Sequence, residues 1–210
     1  DLYIGCSGHK QPIPASRSAK VAIHVNPYGP INIEGINEQD TTIRWVVNQE
    51  PDAVFGYGIE DDRLLWSHWT LKKGIKWVPM PVAGDKTLYK PTRQEDKKVD
   101  IVYLGGRWAY KGLTIDKYLV PLYRQCLAGV KDEKRNIIFK LHGWGEWPKE
   151  FNIDILGEDQ VTPFLGSGKV GPCISEKHTH ESNIDIPERA FKIALCNTLV
   201  IHDTVPAIRR

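Results

Sequence analysis

The stretch "DIVYLGGRWAYKG", Asp100 to Gly112, decides how the chain reads. Asp100–Leu104 is a nearly continuous apolar run, the mark of a strand covered on both faces within a parallel sheet. It breaks at Gly105 and Gly106, which are followed by Arg107 and, four residues later, Lys111. In an open parallel sheet ligands gather beyond the carboxyl ends of the strands, so this loop faces a binding crevice. Paired glycines let a ligand approach backbone N–H groups with no Cβ in the way. Arg107 offers a planar fork and Lys111 a point charge, the two usual partners of a diphosphate. The same residues also read as a plain strand-to-helix turn with two solvated cations.

Outward from this stretch the same punctuation recurs. Strands are predicted at Leu2–Cys6, Val21–Val25, Ala53–Gly56 and Ile75–Pro79, then at Asp100–Leu104, Asn136–Leu141, Val170–Ile174 and Thr198–His202. Helices are predicted at Thr41–Gln49, Asp61–Lys73, Thr114–Val130 and Pro187–Cys196. Alternating strands and helices give an α/β fold with parallel sheets. The passage "VPMPVAGDKTLYKPTRQEDKKVD" is rich in proline and charge and reads as a linker. It divides the chain into two Rossmann-like domains, residues 1–92 and 93–210. The first has few strands for a complete unit of this kind and is abbreviated or truncated. The chain opens mid-strand, at "DLYIGCSG", which points to a piece of a longer polypeptide.

Composition narrows the function. With 28 basic and 26 acidic residues and a net charge of +2, the chain lacks the basic stripe that duplex nucleic acid calls for. Cys6, Cys126, Cys173 and Cys196 form no CxxC pair, and most sit in apolar runs, so a reducing, cytoplasmic setting is expected. No apolar run approaches the roughly 18 residues of a membrane span, and the opening residues lack the basic n-region and long apolar core expected of a signal peptide.

Two further segments could serve a ligand. In "SEKHTHESNIDIPERAFKIALCNTLVIHD", Ser175 to Asp203, the residues Asn183, Ile184 and Asp185 stand where a helix begins, and backbone N–H groups there suit an anion. Glu188, Arg189 and Lys192 follow on that helix. In "FKLHGWGEWP", Phe139 to Pro148, Gly143 and Gly145 flank Trp144, whose ring can stack on a base or sugar. In the first half, His9 and Glu60 follow strands and are candidates for the base that deprotonates an acceptor hydroxyl. The chain contains no GxGxxG fingerprint, no GxxxxGK[ST] loop, no GxSxG elbow and no DxD motif. His178 and His180 lack the spacing of helical zinc ligands.

Together these segments resemble the GT-B class of glycosyltransferases, especially its CgeB-like and group-1-like members, over roughly residues 50 to 205. "KWVPMPVAGDKTLYKP" resembles the inter-domain passage, "YLGGRWAYKG" the first strand-loop of the second domain, and "NIDIPERAFKIALCNTLVIHD" the donor segment. The resemblance implies two domains facing a crevice, with Arg107 and Lys111 on the donor diphosphate and Asn183, Ile184, Asp185 and Arg189 beside it. It implies metal-independent transfer of a hexosyl or deoxyhexosyl group from a nucleotide sugar, UDP favoured, to a glycan hydroxyl, without a cofactor. The family often has glutamate, which holds the donor ribose, where this chain has Lys192, and glycine where it has Asn197. Glu188, one turn earlier, is the candidate substitute. A narrower resemblance, to a domain of multidomain chlorovirus glycosyltransferases, would make the donor UDP-L-rhamnose, although no motif singles it out. Competing readings are a nucleotide-sugar epimerase of the same architecture, a non-catalytic carbohydrate- or nucleotide-binding module, and a structural interaction domain.

Overall fold

The computed structural model describes residues 2–7, 20–25, 41–56, 70–71, 73–80, 82–129, 131–132, 135–176, 179–180 and 186–204. The chain divides into two compact units, with the boundary between Val82 and Ala83.

In the first unit, β1 (Leu2–Cys6), β2 (Lys20–Val25), β3 (Ala53–Gly56) and β4 (Lys76–Pro79) form a parallel sheet in that order, with α1 (Thr41–Asn48) preceding β3. Its core is Ile23 and Val25 of β2, Val46 of α1 and Val54 of β3. The predicted helix Asp61–Lys73 lies mostly outside the described residues.

The second unit opens with the passage that reads as a linker, which is bound to the unit rather than strung beside it. Gly84 packs against Phe191 and Leu195, the Leu88 carbonyl accepts from Thr162 Oγ1, and the Thr92 amide donates to the Cys196 carbonyl. These contacts bring the boundary forward of the 92/93 division that composition suggests. Polar, proline-rich sequence marks irregular backbone, and irregular backbone can still be docked through its own hydrogen bonds.

Next come β5 (Val99–Leu104), α2 (Ala109–Thr114), a π-helical turn (Ile115–Leu119) and α3 (Val120–Leu127). The π turn precedes Pro121, which cannot donate to the carbonyl one turn back and would clash with it in a regular helix. A two-stranded ribbon, β6 (Lys131–Asp132) with β7 (Arg135–Asn136), leads to β8 (Phe139–His142). Then follow α4 (Glu158–Ser167), β9 (Gly168–Cys173), α5 (Glu188–Leu195) and β10 (Leu199–His202). The helix α4 was not expected from sequence, because Pro163 interrupts its pattern. The predicted Asn136–Leu141 strand resolves into the end of the ribbon and β8.

The second sheet is parallel throughout, in the order β10-β9-β5-β8. Successive side chains of a strand point to opposite faces. Tyr103 accordingly packs with Ile115, Leu119 and Tyr123 in one cluster, while Val102 packs with Leu165 and Ile193 in another. Helices therefore cover both faces, as in Rossmann-like folds. At the amino edge the buried Lys97 ammonium donates to the carbonyls of Gly166, Gly168 and Cys196 and to Thr198 Oγ1, at 2.9 to 3.3 Å. Burial lowers its pKa. Among the described residues no helix is long and apolar enough to cross a membrane.

Candidate functional site

Strand order locates the crevice. From β5 the chain passes to β8 on one side and later returns to β9 on the other, so the sequence of strands reverses between β5 and β9. At such a switch point the loops leave in opposite directions and open a ligand site at the carboxyl ends. Gly105, Gly106 and Arg107 follow β5 there, and Ile174, Ser175 and Glu176 follow β9.

The loops after β5 and β8 are joined beyond the ends of their strands. Gly105 N donates to His142 O (3.0 Å), Arg107 N to Trp144 O (2.9 Å) and Glu146 N to Arg107 O (3.0 Å). The approach requires glycine, because a Cβ on Gly143 would lie 1.9 Å from the Gly105 carbonyl oxygen. Trp108 lies over Gly106, where an added Cβ would fall 1.6 Å from its ring. Its ring centroid is 5.8 Å from that of Trp144, and both indoles are partly exposed. An open groove of about 410 Å³ beside them is lined by Trp144, Trp147, Pro148, Ile153 and Ile155.

Inside this rim lies Lys111, only 2% exposed. Its ammonium is 3.2 Å from Glu176 Oε1 and 5.1 Å from the centroid of the Trp108 ring. The other Glu176 oxygen accepts from Trp108 Nε1 at 3.2 Å. Burial and the nearby Arg189 guanidinium lower the Lys111 pKa to about 8, against the attraction of Glu176. Arg189 reaches back from α5 to Gly105, where a Cβ would come within 2.8 Å of Nη2, and lies 5.6 Å from the Tyr103 ring centroid. Its Nη1, like Tyr103 Oη, is buried with no hydrogen-bond partner among the described residues. Among the described residues two cations and one bonded carboxylate thus lie together at a largely desolvated place, an excess of positive charge that favours an anion.

Alongside stands a second cluster, centred on Asp203 directly after β10. Asp203 accepts from Ser175 N (2.9 Å), Ser175 Oγ (2.6 Å), His180 Nε2 (3.1 Å) and His202 Nδ1 (3.0 Å). Burial works against its charge, but the bonds from His202 and Ser175 prevail and hold the carboxyl well below its usual range. Burial likewise opposes the His202 imidazolium, yet its bonds through Nδ1 to the Asp203 carboxylate and carbonyl raise its pKa to about 10.

The expected residues meet this site unevenly. Lys111, Arg189, Gly105 and Gly106 come together in it. Arg107 does not reach the recess: its guanidinium grips Asp116 through two bonds of 2.8 and 2.6 Å and donates to the Glu146 carbonyl. In this arrangement it staples the loop. Gly143 and Trp144 belong to the rim. Glu188 is exposed and paired with Lys192 at 2.9 Å. His9, Glu60, Asn183, Ile184 and Asp185 lie outside the described residues. Sequence reasoning passed over Glu176, Asp203 and Trp108. The available signal was position, since each stands within a few residues of the end of a predicted strand. Among the described residues no group of three or more His, Cys, Asp or Glu side chains could hold a metal ion. In comparison with known proteins, the chain matches no family model and no curated protein.

Proposed function

We propose that the chain is a glycosyltransferase whose second unit holds the diphosphate of a nucleotide sugar, UDP-linked by preference, for transfer to a glycan hydroxyl. The reading includes the GT-B arrangement and a cytoplasmic setting. The observation that carries it is the buried Lys111 ammonium, beside Arg189 at the switch point and bonded, among the described residues, to one carboxylate, Glu176. A diphosphate supplies the missing negative charge. As the sugar leaves, charge grows on that diphosphate, and fixed cations in a dry recess stabilise it electrostatically. Trp108 and Trp144 offer faces for a base or sugar at the rim. Arg189 takes the part first assigned to Arg107, while Arg107 keeps the loop in shape.

A panel of UDP, GDP, TDP, CMP and ADP in thermal-shift measurements tests the reading, because a ligand of the folded state raises its melting temperature. One nucleoside diphosphate should stabilise the protein. Lys111→Ala should weaken its binding by about 1.5–3 kcal/mol, the range for a hydrogen bond to a charged group. If none of the five stabilises the chain, the donor site is lost from the proposal.

One observation favours a second reading, a nucleotide-binding module without turnover. Glu188, the candidate ribose ligand, is already tied to Lys192. That module would bind the same nucleotide and leave the sugar donor unconsumed.

A further inference from the structure

The Asp203 cluster is not needed to hold an anion, and its bonding pattern has chemical content of its own. Among the described residues Ser175 Oγ bonds to the carboxylate and not to an imidazole, so the pattern is not that of a serine nucleophile on its base. An ionised carboxylate can only accept, so the bond at 3.1 Å assigns a hydrogen to His180 Nε2. In the neutral ring that leaves Nδ1 with its lone pair, and Nδ1 has no partner among the described residues. A carboxylate that fixes the tautomer and orientation of an imidazole, and steadies the imidazolium that forms, is the recurring build of a general base.

Placement joins this imidazole to the cationic recess. The amides of Thr179 and His180 donate to the Glu176 carbonyl at 3.1 and 3.4 Å, so the ring lies one turn from the carboxylate that holds Lys111. On its other side the ring centroid is 5.9 Å from that of Tyr110, the residue before Lys111. His180 is also open to solvent, with about a quarter of its side chain exposed.

We propose that His180 is the proton acceptor of the transfer reaction and that Asp203 is its positioning residue, an inference that rests on the transferase reading above. The acceptor hydroxyl gives its proton to Nδ1 as its oxygen bonds to the sugar C1. The bond from C1 to the diphosphate breaks, and its electron pair stays on the diphosphate oxygen, where Lys111 and Arg189 meet the charge. The imidazolium pairs with Asp203 and later releases its proton to water. The base is thereby assigned to the second unit, in place of the candidates His9 and Glu60.

Release of UDP from UDP-glucose, UDP-galactose and UDP-L-rhamnose, with water as acceptor, tests this in the intact chain. His180→Ala should lower kcat about a hundred- to ten-thousand-fold, leave KM and UDP affinity unchanged, and recover part of its rate with added imidazole. His180→Gln can keep the bond to Asp203 and should fold as the wild type does, yet stay slow. Wild-type kcat in either variant overturns the assignment. So does loss of rate in His180→Ala that imidazole does not restore. UDP binding with no release from any of the three donors by the wild type overturns it as well, leaving the binding-module reading. Absence of UDP binding altogether defeats the transferase reading with UDP as donor, on which the assignment stands.

Discussion

The two sheets have the same number of strands and the same parallel sense, yet they are wound differently. In the first unit each strand lies beside its predecessor, β1-β2-β3-β4, with no reversal among the described strands. In the second the order turns back at β5 and β9, and the buried lysine, the arginine and the Asp203 cluster all collect at that turn. Both halves of the sequence carry polar loops after apolar strands. Only the second adds a topological reason for a ligand to enter. Polar residues at strand ends are thus a weak guide until strand order is known.

The units also differ in how they are held, and variants should separate them. The largest effect is expected at Lys97, whose ammonium serves three carbonyls and a hydroxyl at the amino edge of the second sheet. Lys97→Met takes the ammonium from all four, leaving the Gly168 carbonyl with Thr198 Oγ1 and the Cys196 carbonyl with the Thr92 amide, and should cost about 3 kcal/mol. Denaturant unfolding followed by a probe in each unit should show the loss in the second alone. An equal loss in both would mean that the two do not respond as separate bodies. The converse variant is Gly56→Ala in the first unit, where a Cβ would come 2.8 Å from the Val25 carbonyl oxygen. Such overpacking should cost about 2 kcal/mol, read by the probe in the first unit. The nucleotide-induced shift should persist.

A smaller effect concerns pH. His202 has a folded-state pKa of about 10, against 6.5 for the free group. Its contribution is fully present below pH 6.5 and is lost as pH rises towards 10. Lys111 has the opposite sign, because its pKa falls from 10.5 to about 8, so rising pH favours the folded state between those values. The two oppose each other above pH 8, and the window from 6.5 to 8 isolates His202. Across it the wild type should lose on the order of 1 kcal/mol that His202→Gln does not lose. Matching slopes in the two proteins would remove His202 as the cause.

The strands were legible almost residue by residue, since continuous apolar runs mark covered parallel strands whatever their order. Leu2–Cys6 and Ala53–Gly56 agree at both ends, and β5 begins one residue before the expected Asp100. Helix α4 was hidden by Pro163, because proline tells against a helix interior unless packing overrides it, as the burial of Leu165 does here. At the candidate site, the position of Lys111 was legible because it follows a strand end at the carboxyl edge of a parallel sheet, where loops face a crevice, while its burial was not. Arg107 looked equivalent, yet Asp116 lies on the next helical turns and captures it, a pairing that depends on the path of the loop. Glu176 and Asp203 could not be assigned, because the bonds that define them cross between elements far apart in sequence.

The main-chain bonds that join the loops after β5 and β8 have a mechanical consequence. That wall of the crevice behaves as an anvil: three backbone bonds, glycines without slack and the Arg107–Asp116 clasp leave it little freedom to yield. A bulkier ligand would have to be accommodated by the opposite wall, after β9. Discrimination by size would then be written in the Ser175–Glu176 backbone and the side chains that tether it.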